Sequence, residues 1–315
     1  MLSTPWSRGV GLRVPIVNAP MGGVAGGRLA AAVTAAGGLG MVGMGSTGST
    51  SSLTAELQHV RGTFGIGLVD WVIRQEPDLL DAALDAQPAL LSVSFGTDLS
   101  WAARARDAGI ATATQVYDAD GARRAADAGI DVLVARGAEG GGHGEATIAT
   151  LPLLDAVLDA VSVPVLAAGG IGSPRSLAAV LAAGAAGAWL GTCLSACAEA
   201  LTTDAARKAL IAARETDTTP TRVFDVGRGY PWPQRFPSRV LRNDFVARWA
   251  GREDALADDA GARAELADAI AAEDYRIAPV DAGQGVGMIT GVEPVAAVIE
   301  RLCAGAERLL ARWAG

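Results

Sequence analysis

A closed α/β barrel, the (β/α)8 TIM barrel, is the fold class that this sequence of 315 residues predicts. Short apolar runs alternate with Ala- and Leu-rich helical patterns, and such alternation requires a parallel sheet. Eight of these runs occur, and they are apolar throughout, as expected for strands that are buried on both faces. Since one barrel commonly has about 250 residues, the chain is long enough for a barrel with an insertion.

The predicted elements follow one another in strict order. The predicted strands are residues 15–19, 40–43, 65–69, 89–95, 110–115, 131–135, 164–167 and 187–190. The helical patterns between them lie near 27–36, 51–61, 76–86, 98–108, 118–128, 151–161 and 173–183. An Ala-Gly pair, which commonly ends a helix, closes several of them, as at Gly109, Gly129 and Gly184. An amphipathic pattern over 294–313 predicts the eighth helix, which completes the barrel.

This reading divides the chain into three parts. Residues 1–195 form the barrel, residues 196–285 form a mostly helical insertion after strand eight, and residues 286–315 carry the closing helix. The insertion is predicted to be helical at 204–214 and 254–272, and we expect it to pack as a lid across the barrel mouth. Its centre contains Trp232 and Phe236 between prolines. These two rings either wall an apolar substrate pocket or pack as wedges.

Composition excludes several classes of protein. A net charge of −8 argues against nucleic-acid and anionic membrane partners, because both need clustered basic residues. No run reaches the ~18 apolar residues of a membrane span, and the N-terminus lacks a signal-peptide pattern. Cys193, Cys197 and Cys303 lie in Ala-rich surroundings, which favours core packing over a disulfide or a metal site. We therefore expect a cytoplasmic protein without a metal.

Two glycine turns at adjacent strand ends predict an anion site. Gly169 and Gly170 follow strand seven and lead to Ser173, an expected helix N-cap, while Gly191 and Thr192 follow strand eight. Bare backbone amides near a helix N-terminus bind anions, and these two loops are the usual phosphate location in this fold. The pairing indicates a phosphate but does not specify the molecule that carries it.

A glycine-rich loop after strand six carries the candidate catalytic residue. Residues 136–145 read Arg-Gly-Ala-Glu-Gly-Gly-Gly-His-Gly-Glu. Glycine lets the backbone approach a ligand closely, and an imidazole, whose usual pKa is ~6.5, exchanges protons near neutral pH. We predict that His143 is a catalytic base over a bound cofactor, the alternative being a flexible turn. Glu139 is interpreted as holding the loop, and His59 as a solvated residue of the second helix.

Motifs at separate places in the chain point to one family. They are Ala19-Pro20-Met21, Gly137-Ala138-Glu139-Gly140-Gly141-Gly142-His143, Pro164-Val165-Leu166-Ala167-Ala168-Gly169-Gly170-Ile171 and Gly187-Ala188-Trp189-Leu190-Gly191-Thr192. Together they resemble the nitronate monooxygenase (2-nitropropane dioxygenase-like) family, which is related to the FMN-dependent enoyl-acyl-carrier-protein reductases and the NAD(P)H:quinone reductases. The resemblance covers roughly residues 10–200, and residues 282–285 also fit it.

The resemblance implies an FMN-binding barrel with His143 as its catalytic histidine. By position, it implies that the flavin ring is lined by Ala19, Pro20, Met21, Gly22, Gly67, Gln115, Gly141 and Gly142, and that the phosphate is held by Gly169, Gly170, Gly191 and Thr192. Ser92 or Ser94 of strand four faces the flavin or the core. Two positions depart from the family: Gly67 replaces a frequent Asn and removes a hydrogen bond, and Gly140 replaces Ala or Ser and is expected to loosen the loop.

The implied activity is oxidation of small alkyl nitronates or nitroalkanes with dioxygen. His143 removes the α-proton of a neutral nitroalkane or stabilises the anionic nitronate beside the flavin, and the flavin carries out the redox step. Two alternatives stay open at this point. One is an NAD(P)H-dependent FMN reductase that acts on quinones or enoyl thioesters, and the other is a phosphate-binding barrel without redox activity.

Overall fold

The computed structural model describes residues 2–312 and contains the eight parallel strands that the sequence predicts. The strands of this barrel are β1 (Ile16–Asn18), β2 (Gly40–Gly43), β3 (Phe64–Val69), β4 (Leu90–Ser94), β5 (Ala111–Val116), β6 (Val132–Arg136), β8 (Val165–Ala168) and β9 (Gly187–Leu190). A very short strand, β7 (Gly142–His143), lies between β6 and β8 in the chain and is not part of the barrel. Each barrel strand begins and ends within one residue of its predicted bounds.

The barrel strands are neighbours in the order β1-β9-β8-β6-β5-β4-β3-β2. A parallel bridge between Val17 and Leu39 links the two ends of this series and closes the ring. The predicted (β/α)8 TIM barrel is thereby confirmed. Because all strands are parallel, their carboxyl ends meet at one mouth, where ligand chemistry is found in this fold.

Helices surround the barrel. In the first two thirds of the chain they are α1 (Pro5–Gly9), α2 (Gly27–Ala35), α3 (Thr50–Leu57), α4 (Asp70–Gln75), α5 (Pro77–Asp85), α6 (Trp101–Asp107), α7 (Ala119–Asp127), α8 (Thr150–Ala160), α9 (Pro174–Ala182) and α10 (Thr192–Ser195). Of these, α1 packs through Trp6 against the apolar cluster inside the barrel, and α10 lies at the barrel mouth. The closing helix α16 (Val295–Ala311) packs on α9 and α2, as the sequence predicts; Trp313 and the two residues after it lie outside the described residues. No helix within residues 2–312 is both long enough and apolar enough to span a membrane.

Two apolar layers build the core. The outer layer lies between strands and helices, and the inner layer fills the barrel itself with side chains such as Met41, Val134, Leu166 and Trp189. Each of these four inner side chains is almost fully buried. The barrel interior is therefore packed, and a ligand can enter only at the mouth.

The segment 196–285 contains more strand than the sequence predicts. Its helices are α11 (Asp204–Ala212), α12 (Val223–Arg228), α13 (Asp244–Trp249), α14 (Glu253–Asp258) and α15 (Ala260–Ala271), and its strands are β10 (Thr218–Thr221) and β11 (Ser238–Leu241). The expected single helix over 254–272 is wrong, because Asp259 leaves the helical conformation and caps α15 instead. Strand β11 pairs antiparallel with both β10 and β7, which ties this segment to the glycine loop. The three-part domain division stays a prediction.

Candidate active site

A cavity of about 390 Å³ opens at the carboxyl ends of the barrel strands, with residues of the segment 196–285 on its far side. Its wall contains every residue to which the sequence assigns a catalytic or cofactor-binding role. These residues are His143, Ala19, Pro20, Met21, Gly22, Gly67, Gln115, Gly141, Gly142, Gly169, Gly170, Gly191 and Thr192. Residues from widely separated loops thus share one concave surface, which is the usual form of a small-molecule site.

His143 is held by a carboxylate that the sequence analysis did not single out. It lies in β7, where it pairs with Ser238 of β11. Its Nε2 lies 2.9 Å and 3.0 Å from the two carboxylate oxygens of Asp225, which is itself buried in α12. No residue in the range 2–312 forms a hydrogen bond with Nδ1. A carboxylate partner of this kind fixes the orientation and the tautomer of a histidine, so Nε2–H donates and Nδ1 keeps its lone pair.

An aromatic ring covers one face of the imidazole. The indole of Trp232 stacks on His143 with ring centroids 3.5 Å apart and an angle of 6° between the planes. Its Nε1–H donates to the Ser46 hydroxyl at 3.0 Å, which fixes the indole. Phe95 packs edge-on against Trp232 and has a φ of +73°, a backbone conformation that is rare for a bulky residue. Trp232 lines the cavity, whereas Phe236 is buried against Phe95 and Tyr117 and does not line it.

The glycine loop is tied down by a buried arginine. The Arg136 guanidinium donates to the carbonyl oxygens of Gly140, Gly141 and Gly142 at 2.8, 3.2 and 3.0 Å. A Cβ on Gly140 would lie 2.8 Å from Nε of Arg136, so glycine makes room for this side chain. The expectation that Gly140 loosens the loop is wrong for this reason.

Glu139 also fixes the loop. Its carboxylate accepts hydrogen bonds from the amide and the hydroxyl of Thr150 at 2.8 and 2.7 Å. It makes no hydrogen bond with His143, and its partner is the first residue of α8. This is the loop-holding role that the sequence favours for Glu139.

The two glycine turns present unpartnered backbone amides to the cavity. The amides of Gly169, Gly170, Ile171 and Gly191 have no hydrogen-bond acceptor within the described part of the chain. Both Gly169 and Gly170 have positive φ, at +112° and +68°. Successive N–H groups in such a turn form an anion-binding concavity. Ser173 caps α9 and bonds Ser176 reciprocally, which fixes the helix N-terminus behind the turn.

The opposite wall is flat and packed closely. The ring of Pro20 lies directly against Gly67, where a Cβ would overlap its Cγ and Cβ atoms. At Gly67, where the resemblance leads us to expect Asn, the Pro20 ring therefore occupies the space that a side chain would need. Burial raises the pKa of Tyr117, whose hydroxyl donates to Oε1 of Gln115 at 3.1 Å. The side-chain amide nitrogen of Gln115, Nε2, has no partner within residues 2–312 and remains available to a ligand.

The two serines of β4 behave differently. Both line the cavity, but the Ser94 hydroxyl accepts a hydrogen bond from the backbone amide of Gln115 at 3.1 Å. The Ser92 hydroxyl has no hydrogen-bond partner among the described residues, so it is the one available to a ligand.

His59 is exposed, lies just beyond the end of α3 and is not part of the cavity wall. Cys197 and Cys303 are buried free thiols, whereas Cys193 lies in the cavity wall.

The residues present fit a flavin mononucleotide. A phosphate requires several free donors, and the unpartnered amides of the glycine turns supply them. A flat aromatic ring requires a wall without protruding side chains, and the contact of Gly67 with Pro20 provides one. Cavity, anion site and flat wall are continuous, since their residues line one space.

Comparison with known proteins identifies the family to which this chain is similar. Residues 5–65 and 74–305 match the family model described as nitronate monooxygenase. A nitronate monooxygenase of Pseudomonas aeruginosa is 30% identical over 330 aligned positions, which cover 80% of this chain and 94% of the relative. The (3aS,4S,5R,7aS)-5-hydroxy-7a-methyl-1-oxo-octahydro-1H-indene-4-carboxyl-CoA dehydrogenase of Rhodococcus jostii is 34% identical over 249 residues, which cover 78% of this chain and 67% of the relative.

Solved structures show the same architecture over the whole chain. FabK from Thermotoga maritima superposes with a TM-score of 0.86 at 25% identity and covers 100% of this chain and 99% of its own. A nitroalkane oxidase from Streptomyces ansochromogenes superposes with a TM-score of 0.82 at 29% identity, covering 98% of this chain and 100% of its own.

Proposed function

This chain belongs to the nitronate monooxygenase family, and we propose that it binds FMN and oxidises small alkyl nitronates with dioxygen. The family and the homologues make it a flavin-type oxidoreductase that acts on a small molecule. The observation that carries the finer proposal is His143, held by Asp225 through Nε2 with Nδ1 unpartnered, in the wall of a cavity that also contains a phosphate-type anion site.

FMN is the form of flavin that the anion site favours. Gly169, Gly170, Gly191 and Thr192 would hold its phosphate through their amides and the Thr192 hydroxyl. Ala19, Pro20, Met21, Gly22, Gly67, Gln115, Gly141 and Gly142 would surround its ring. When bound, FMN would supply the redox chemistry between the substrate and dioxygen.

His143 would handle the proton. Because Nε2–H donates to Asp225, Nδ1 is the atom whose lone pair removes the α-proton of a neutral nitroalkane. The imidazolium formed in this way carries a positive charge beside the nitronate, and the Asp225 carboxylate stabilises that charge on its other side. A substrate that arrives as a nitronate needs only the stabilising role.

The segment 196–285 would complete and cover the site. It contributes Asp225 and Trp232, and the stacked indole shields one face of the imidazole from water. In this proposal the domain division is a barrel that binds FMN, a segment that covers it and a closing helix. The reaction needs no nicotinamide, and we place the enzyme in the cytoplasm with no nucleic-acid or membrane partner.

Two observations favour a second candidate function. The likeness to FabK and the 34% identity to a carboxyl-CoA dehydrogenase support an NAD(P)H-dependent or acyl-thioester activity on the same FMN cradle. A phosphate-binding barrel without redox activity is the third possibility, and purified protein without stoichiometric flavin absorbance would favour it.

The visible spectrum separates these candidates. Purified protein is mixed anaerobically, in separate samples, with ethylnitronate, propionate-3-nitronate, NADH and NADPH. The proposed function predicts that a nitronate alone bleaches the flavin and that air restores its absorbance. Bleaching by NADH or NADPH together with inertness toward all nitronates would replace it with the reductase function.

A further inference from the structure

Arg136 is a buried cation in the cavity wall. It is the last residue of β6, and only 5% of its surface is exposed. Its guanidinium donates to the carbonyl oxygens of Gly140, Gly141 and Gly142 and also to the backbone carbonyl oxygen of Glu145 at 3.3 Å. Within residues 2–312 no carboxylate forms an ion pair with it. Arginine remains protonated in proteins, so its positive charge is buried with backbone dipoles as its only hydrogen-bond partners.

The surrounding sequence is adapted to this side chain. A Cβ on Gly144 would lie 2.5 Å from the Cζ and the Nη1 of Arg136. Together with the contact at Gly140, this means that the guanidinium fills the space that side chains at either position would need. The glycines on both sides of His143 therefore serve the arginine as well as the ligand.

The acidic groups nearby are engaged elsewhere. The Glu139 carboxylate bonds Thr150, and the Asp281 carboxylate accepts from the Ser238 hydroxyl at 2.7 Å. A second arginine, Arg239, adds positive charge close by; it donates to the Ala138 carbonyl at 2.9 Å and does not line the cavity. Burial of a charge without a hydrogen-bonded counter-ion is unfavourable. The Glu139 and Asp281 carboxylates attract the Arg136 guanidinium without forming a hydrogen bond with it. An anionic ligand in the cavity would add to that attraction.

We propose that Arg136 both positions the His143 loop and supplies the cavity with a fixed positive charge that selects an anionic ligand over its neutral form. The inference rests on the proposed function only for the identity of that anion, a nitronate. The loop carbonyls hold the guanidinium in place, so its charge is preorganised before the ligand binds. Long-range attraction of this kind raises anion affinity without requiring direct contact.

The test compares an anion with a neutral molecule on the FMN-loaded protein. Binding of inorganic nitrite and of nitroethane, at a pH where nitroethane is neutral, is measured from the change in the visible flavin spectrum. All variants carry His143→Ala in addition, so that nitroethane binds without being turned over. Arg136→Gln keeps a hydrogen-bond donor and removes the charge, whereas Arg136→Lys keeps the charge and loses the fork of donors. Arg239→Gln is the matched control, because Arg239 binds the same loop outside the cavity wall.

The expected result is selective. Arg136→Gln raises the Kd of nitrite by ~10-fold or more and leaves that of nitroethane within ~2-fold, while Arg136→Lys changes the nitrite Kd by less than ~3-fold. Arg239→Gln changes the ratio of the two constants by less than ~3-fold, because its guanidinium lies outside the cavity wall. Equal loss of both ligands in Arg136→Gln, or no loss of either, would overturn the proposal.

A second outcome decides the matter if the glutamine variant does not retain FMN. The nitrite Kd of Arg136→Lys then carries the test, and a loss of ~10-fold or more contradicts a charge-based role. Because nitrite binding requires no electron transfer, the proposal can hold even where nitronates fail to reduce the flavin. Failure of the proposed function and failure of this inference are thus distinguishable.

Discussion

Asp225 and His143 are joined by hydrogen bonds of 2.9 and 3.0 Å although they lie 82 positions apart in the chain. The carboxylate comes from a helix of the segment 196–285, and the imidazole comes from a loop of the barrel. The pair therefore forms only when that segment is docked on the barrel. The proton-handling role that we propose for His143 therefore depends on both parts of the chain.

Asp225→Asn is expected to retain FMN and to lower turnover of a neutral nitroalkane by ~100-fold or more, because the amide no longer fixes the tautomer or stabilises the imidazolium. Steady-state rates and the flavin content of the purified variant measure both effects. Asp244→Asn, the same change at an exposed position of a neighbouring helix, is the control and should match the parent. Full activity of Asp225→Asn would show that His143 acts without this partner.

Gly67 is expected to tolerate no side chain. In Gly67→Ala the new Cβ overlaps the Pro20 ring, so Pro20 must move and the flat wall is lost. We expect FMN affinity to fall by ~10-fold or more and the free energy of unfolding to fall by ~1–3 kcal/mol. Fluorescence titration with FMN and urea denaturation give the two quantities. Gly291→Ala, where a Cβ meets open space, should change neither.

Gly170→Ala tests the anion site at a single turn. Its φ of +68° disfavours any side chain, and its amide is one of the unpartnered donors in the cavity wall. Gly109→Ala is matched in backbone strain, with a φ of +74°, but lies outside the cavity wall. Both variants should lose ~1 kcal/mol of stability. Only Gly170→Ala should also weaken FMN binding, by ~10-fold, and equal FMN affinities in the two variants would argue against a phosphate at this turn.

The two buried thiols, Cys197 and Cys303, should be inert in the native protein. Burial raises their pKa values to about 12, from 9.0 in a free thiol. A thiol-disulfide reagent at pH 8 should therefore react very slowly until urea unfolds the chain.

The same shift has a consequence for stability. The folded state keeps the Cys303 thiol protonated. The contribution of this thiol to the free energy of unfolding is therefore complete below pH 9 and is lost as the pH rises toward about 12. Cys303→Ala should lose less stability than the parent between pH 8 and pH 10. Rapid labelling at pH 8, or identical pH dependence in the two proteins, would contradict this burial effect.

The sequence predicts the barrel well because each strand is a continuous apolar run between turn residues. It also predicts both glycine turns, since Gly169 and Gly191 follow adjacent strands of a parallel sheet. Those signals are local. The pairing of β7 with β11 is not local, because it involves a strand of two residues whose register depends on how a distant segment docks.

Asp225 and Arg136 show the limit of such reasoning. A single acid between apolar residues in Val223-Phe224-Asp225-Val226 is a signal of a buried carboxylate, but nothing nearby in the sequence names its partner. Arg136 stands at the start of a glycine-rich loop, which reads as flexible until the guanidinium is placed against the loop carbonyls. Both roles depend on side-chain directions that periodicity does not specify.

The most direct measurement of the central claim is anaerobic flavin reduction by His143→Ala, followed in a stopped-flow instrument with neutral nitroethane and with ethylnitronate. The variant is expected to retain FMN and to lose ~100-fold or more of the reduction rate with nitroethane, because no base remains to remove the α-proton. The loss with the preformed nitronate should be smaller, since that substrate needs only charge stabilisation. The account would be contradicted if neither substrate reduced the flavin of the parent enzyme. It would also be contradicted if both substrates reduced the flavin of the variant at the parent's rate.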